Sequence, residues 1–200
     1  MRIPSLLLIA LLPATLSAQE GFVGVLAGRT AAELPHNVNH FGTLAGAFFQ
    51  VNLSPHVGVR SEASWTRAGA LARMDLNDCY DCFWEPTAVD LDFAELNATG
   101  RLSWTTEKLV PMNSELGFAV FAGGWLGARV HGRVAEKDNR VGDFGHLLGF
   151  GVFWTYERFM VEVSARSYHG ERGLVPDGPT RRGSELDFGL GYRIHPGGEG

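Results

Sequence analysis

The stretch GHLLGFGVFWTYERFMVEVSARS, residues 145–167, is apolar enough to suggest a membrane-spanning helix, yet Tyr156-Glu157-Arg158 interrupts it and three glycines crowd its first half. Its spacing is two rather than 3.6. Phe144, His146, Leu148, Phe150, Val152 and Trp154 alternate with Gly145, Leu147, Gly149, Gly151 and Phe153. After the break, Val161, Val163 and Ala165 alternate with Glu162, Ser164 and Arg166. Alternation of this kind belongs to strands with two different faces. The stretch reads as a hairpin, and its Gly145-xxx-Gly149 spacing marks one strand face better than a helix-dimer seam.

The same period runs outward along the chain. In 57–66, Val57, Val59, Ala63 and Trp65 share a face with Ser61, while Gly58, Arg60, Glu62, Ser64 and Thr66 take the other. In 41–53, Phe41, Ala45, Ala47, Phe49, Val51 and Leu53 oppose Gly42, Gly46, Gln50 and Asn52. In 93–104, Ala94, Leu96, Ala98, Leu102 and Trp104 oppose Glu95, Asn97, Thr99, Arg101 and Ser103. Val120, Ala122, Leu126, Ala128 and Val130 oppose Gly123, Trp125, Gly127, Arg129 and His131, and Leu186, Phe188, Leu190, Tyr192 and Ile194 oppose Glu185, Asp187, Gly189, Gly191 and Arg193. The segment 21–29 is strand-like, with an ambiguous outward face. Eight strands are expected, at about 20–29, 41–53, 56–68, 89–104, 115–132, 143–155, 159–169 and 184–194. The links 30–40, 69–88, 133–142 and 170–183 are long and polar, 54–55 and 156–158 very short, and 105–114 intermediate. A meander with its long loops at one end predicts an eight-stranded antiparallel up-and-down transmembrane barrel, all β.

Which face points inward decides between a membrane barrel and a soluble lipocalin-like binding barrel, whose apolar face lines a ligand cavity. Most glycines lie on the polar face, where small side chains suit a narrow lumen. Aromatics of the apolar face gather near strand ends: Trp104, Trp154 and Tyr192 at the short-turn end, Phe41 and Trp65 toward the long loops. Such girdles mark membrane interfaces. The polar face carries both signs, with Arg60, Arg101, Arg129, Arg166 and Arg193 against Glu62, Glu95, Glu162 and Asp187. Enclosed in a narrow barrel, these charges must pair.

The ends and composition agree. MRIPSLLLIALLPATLSAQE has a basic residue, the apolar run Leu6–Leu12 and the small-residue site Leu16-Ser17-Ala18, so residues 1–18 read as a signal peptide. Residues 19–194 form the barrel and 195–200 a short tail. A net charge of -5, with Lys108 and Lys137 the only lysines, gives no footprint for nucleic acid. Cys79 and Cys82, in CYDC, suit a small local disulfide in an oxidising compartment. Neither a thioredoxin-like context nor further zinc ligands accompany them.

With these segments in hand, the chain resembles the small outer-membrane β-barrel proteins of Gram-negative bacteria, a group that includes PorT-like and OmpX-like barrels. The resemblance rests on FGTLAGAFFQVNLSPHVGVRSEASW, FAVFAGGWLGARV, DFGHLLGFGVFW, FMVEVSAR and LDFGLGYRI, and it covers nearly the whole mature chain. It implies an eight-stranded barrel in the outer membrane, contact with outer-membrane lipid, and passage through the barrel-assembly machinery. Many such chains end on an aromatic, whereas this last strand closes on Ile194. The group's activities differ with their loops.

The leading expectation is a non-enzymatic barrel, monomeric and without cofactor, whose lumen is filled by an ion-pair network of the charges named above. A gated conduit is the variant of that reading. An outer-membrane lipid-modifying hydrolase would need a nucleophile with a base, and Ser167-Tyr168-His169 near Glu171 is the nearest candidate. Its order is the reverse of the lipid A deacylase pattern, His-x-Ser-Asn, and the Asn is missing. A surface ligand could be met by Phe83 and Trp84 in the loop MDLNDCYDCFWEP, with Asp75, Asp78 and Asp81 considered for calcium; His36 and His40 are a weaker metal pair. No nucleotide-binding loop, HExxH or nucleophile elbow occurs.

Overall fold

The computed structural model describes residues 20–34, 38–72, 87–106, 114–131, 142–173 and 180–194. They form eight strands: β1 (Glu20–Leu34), β2 (Val38–Asn52), β3 (Val57–Ala72), β4 (Thr87–Thr106), β5 (Ser114–His131), β6 (Gly142–Tyr156), β7 (Phe159–Gly173) and β8 (Thr180–Ile194). Each strand pairs antiparallel with the next, and β8 closes on β1. The expected all-β, eight-stranded up-and-down barrel is what the chain forms. Closure leaves no unpaired sheet edge, which alternating apolar strands otherwise present to other chains.

The stretch 145–167 is the β6–β7 hairpin. Tyr156 pairs with Phe159, and the turn residue Glu157 sits at φ 51°. The strands run further than their apolar pattern at the long-loop end. Leu34 pairs with Val38, so the first link shrinks from the expected 30–40 to 35–37, shorter than 107–113 at the opposite end. Backbone pairing needs no apolar side chain, so strands can continue beyond the apolar belt where hydrophobic spacing no longer reports them. Residues 1–19 and 195–200, with the expected signal peptide and tail, lie outside the described residues, as do Cys79, Cys82 and the loop that carries them.

Register fixes the stagger of the barrel. From Arg67 on β3 the partners run through Thr43, Arg29, Leu186, Ala165, Phe150, Val120 and Leu102 to Val57, again on β3. One circuit thus descends from residue 67 to residue 57, a stagger of ten residues, which tilts the strands by roughly 40°. The lateral partners of an inward side chain are therefore set by this helical offset and not by strand order alone.

The apolar face is outside. Phe150 is 65% exposed, Leu96 60% and Phe188 50%, whereas Phe22, Leu26, Phe48 and Met160 are buried within the barrel. In β1, Val23, Val25 and Ala27 point out while Phe22, Leu26 and Thr30 point in, which resolves the segment whose outward face was ambiguous. Outward aromatics pair at the short-turn end: Trp104 stacks on Phe118 at 4.9 Å, Trp154 on Tyr156 at 5.9 Å, and Phe159 meets Tyr192 edge-on at 5.7 Å. Trp65 is also outward, toward the other end of its strand.

The glycines explain how inward rings fit. Phe48 faces Gly24 across β1–β2, Phe121 faces Gly149 across β5–β6, and Phe153 faces Gly117 on the same pair. A Cβ on Gly149 would lie 2.3 Å from the Phe121 ring and 2.8 Å from the Ala165 carbonyl oxygen. The ring thus lies over the neighbouring backbone, and glycine is what leaves it room. Gly149→Ala is expected to destabilise the barrel by about 1–3 kcal/mol through overpacking, read as a lower denaturation midpoint in detergent micelles.

Candidate functional site

Six inward charges join in one chain across the lumen. Arg60 and Glu62 stand on β3, Arg101 on β4, Glu162 and Arg166 on β7, and Asp187 on β8; all are 5% exposed or less. Their spacing within each strand is even, so alternation alone sends them to the same side. Arg60 Nη1 donates to Glu162 Oε1 at 2.6 Å, and Arg60 Nε lies 2.6 Å from Glu62 Oε1. Arg101 donates to the second oxygen of Glu162, and Arg166 to Glu62 Oε2. Arg166 Nε donates to Asp187 Oδ2 at 2.8 Å, and the Ser164 hydroxyl to Asp187 Oδ1 at 2.7 Å. Asn97 adds a bond to Glu62 at 3.3 Å.

Three guanidiniums thus meet three carboxylates. Each carboxylate accepts from two or more donors, which offsets the desolvation that makes a buried ion pair unfavourable when incompletely bonded. The arginines also lie against rings. Arg60 stands 4.0 Å above Phe48, Arg101 4.8 Å from Phe153 and Arg166 5.9 Å from Phe121. Such cation–π contacts strengthen where water is excluded. These are the rings that the opposing glycines admit, so glycine, ring, arginine and carboxylate form successive layers from wall to centre.

The other residues of the expected network are placed differently. Arg193 lies at the short-turn mouth, 3.4 Å from Glu20, and 5.5 Å from the Phe22 ring. Glu95 is buried on the inward face of β4. Arg129 belongs to β5, but its side chain is outside the described set. The rings Phe22, Phe48 and Phe121 were not among the residues singled out from sequence. Their parity places them inward, but their roles depend on cross-strand neighbours.

A vestibule of about 320 Å³ opens from the short-turn end and reaches Arg101, Phe153 and Thr155. Deeper, the gap among Arg60, Glu62, Thr99, Arg101 and Phe121 admits no water molecule. The hydrolase candidate is not assembled. Ser167 and His169 share the outward face while Tyr168 is buried inside. Glu171 approaches His146, at 3.3 Å, and His146 stacks on His169 at 5.1 Å. No hydrogen bond links Ser167 to His169 among the described residues.

No protein-family model matches the chain, and no curated protein sequence does so. Among solved structures it is similar to Neisserial surface protein A (12% identity, covering 87% of this chain and 97% of that one, TM-score 0.53). It is also similar to the outer membrane protein OprG from Pseudomonas aeruginosa (11% identity, covering 90% and 97%, TM-score 0.51). At these identities the likeness is one of fold: a closed eight-stranded barrel of the kind found in small outer-membrane proteins.

Proposed function

We propose that the chain is a non-enzymatic outer-membrane β-barrel, closed through its middle by the ion-pair chain and serving as an anchor for its longer loops. The observation that carries this reading is the inversion of the ordinary globular arrangement: exposed large apolar side chains on every strand around an interior of buried, paired charges. An apolar surface of that extent is unfavourable in water and favourable against lipid. A lipocalin-like barrel requires the opposite faces. The paired aromatics at the short-turn end suit one membrane interface, with Trp65 and Phe41 toward the other. A place within the PorT-like and OmpX-like group, a monomeric state, and delivery by the assembly machinery belong to the same reading.

The gap among Arg60, Glu62, Thr99, Arg101 and Phe121, too small for a water molecule beyond the vestibule, favours a closed barrel over a conduit. In planar bilayers the purified protein is expected to show no discrete conductance steps, and regular steps of substantial size would overturn the closed-barrel reading. Fractionation should find it in membranes, with a band that shifts on heating before electrophoresis. Recovery as a soluble periplasmic protein would refute the membrane assignment.

A further inference from the structure

The exterior wall carries one feature that simple lipid contact does not explain. In register across β6, β7, β8, β1 and β2, one outward row reads Leu148, Ser167, Ser184, Ala31, Phe41. The next row toward the short turns reads Phe150, Ala165, Leu186, Arg29, Thr43. Small residues at Ala31, Ser184, Ser167 and Ala165 form the floor of a groove of about 790 Å³, with Leu148, Phe150, Leu186 and Phe41 among its walls. The floor descends from β1 to β7 in the sense of the circuit that falls from Arg67 to Val57. It offers a path of about 15 Å, suited to an acyl chain directed into the membrane.

The upper part of this groove is cationic. Arg29 is exposed on the outward face, and Arg182, two residues beyond Ser184, is exposed on the same side. Neither has a carboxylate within salt-bridge distance among the described residues. They stand diagonally across the Ser184–Ala31 pair, where small side chains leave space for two long ones to converge. His169 and His146 extend the row of Arg182 across β7 and β6, and the carboxylate beside them, Glu171, is engaged by His146. In register with Arg182 on β1 is Glu33. Arg29, by contrast, has Leu186 and Thr43 as its cross-strand neighbours, and an outward arginine so placed is unfavourable against hydrocarbon and is stabilised by an anion at the headgroup level.

We propose that this groove holds one phosphate-bearing lipid of the surrounding outer leaflet, its phosphate at Ser184 between Arg29 and Arg182 and an acyl chain descending over Ser167 and Ala165. The site rests on the membrane-barrel reading above and adds a specific lipid contact to it. The test uses the purified full-length chain in detergent micelles, with lipid retention measured by native mass spectrometry. The probes are lipid A carrying its phosphates, the same lipid after phosphatase treatment, and inorganic phosphate.

The wild-type chain is expected to retain the phosphorylated lipid at least tenfold better than the treated one, with inorganic phosphate alone not held. Arg29→Gln combined with Arg182→Gln should abolish that preference, the corresponding lysine pair should restore much of it, and Ala165→Phe should displace the lipid by filling the floor. Equal retention of both lipids, or an unchanged preference in the glutamine pair, overturns the site. Each variant is first checked for the heat-dependent gel shift. A heat-modifiable, membrane-inserted chain that ignores the phosphate defeats this inference alone, whereas a soluble chain defeats the membrane reading as well.

Discussion

Glu162→Gln is expected to destabilise the barrel by about 3–5 kcal/mol, the cost of removing one partner from a buried ion pair. Glu162 gives one carboxylate oxygen to Arg60 and the other to Arg101, so its charge serves two guanidiniums on two strands. Without it, Arg60 keeps Glu62, while Arg101 loses its carboxylate partner in the six-membered chain. The measurement is the denaturant midpoint of the purified protein in micelles, alongside the temperature of the gel shift. Arg101→Met with Glu162→Leu should recover much of the loss, because an apolar pair of similar volume leaves no uncompensated charge. A loss below about 1 kcal/mol for the single change would show that the chain of charges does not hold the barrel together.

Phe188→Arg should lower stability in lipid bilayers by about 2–4 kcal/mol, the cost of a cation near the middle of a lipid-facing strand. Phe188 is outward, lying in register between Ala27 and Val163. Phe188→Leu keeps the apolar face and should stay within about 1.5 kcal/mol of the parent. In a water-soluble barrel the arginine would be harmless on that surface and would improve solubility. The sign of the change therefore separates the two inside-out arrangements without reference to loops or ligands.

Much of this architecture was legible locally. Strand identity, the β6–β7 hairpin and the side taken by each charge depend on neighbours one or two positions away, which a period of two records directly. Strand ends at the loop side were less legible. The pairs Leu34–Val38 and Leu71–Ala88 lie where backbone hydrogen bonds continue beyond the apolar pattern. The candidate site was legible as a set of inward charges and illegible as a set of partners. Arg193 pairs with Glu20 at the mouth, away from the central chain, although its alternation is the same as that of Asp187.

The sequence by itself determined eight strands, two chemically opposite faces, and glycines concentrated on the inner one, because alternation is a property of the extended backbone. Only closure of the barrel decided which groups meet. Arg60 reaches Glu162 across 102 positions and Arg166 reaches Glu62 across 104, contacts set by a stagger that no local pattern encodes. The same stagger sets Phe121 against Gly149 inside the wall and Ser184 against Ala31 outside it. In the stretch 145–167, Glu162 and Arg166 are spaced as two inward charges, yet their partners come from β3, β4 and β8, brought there by the closed register.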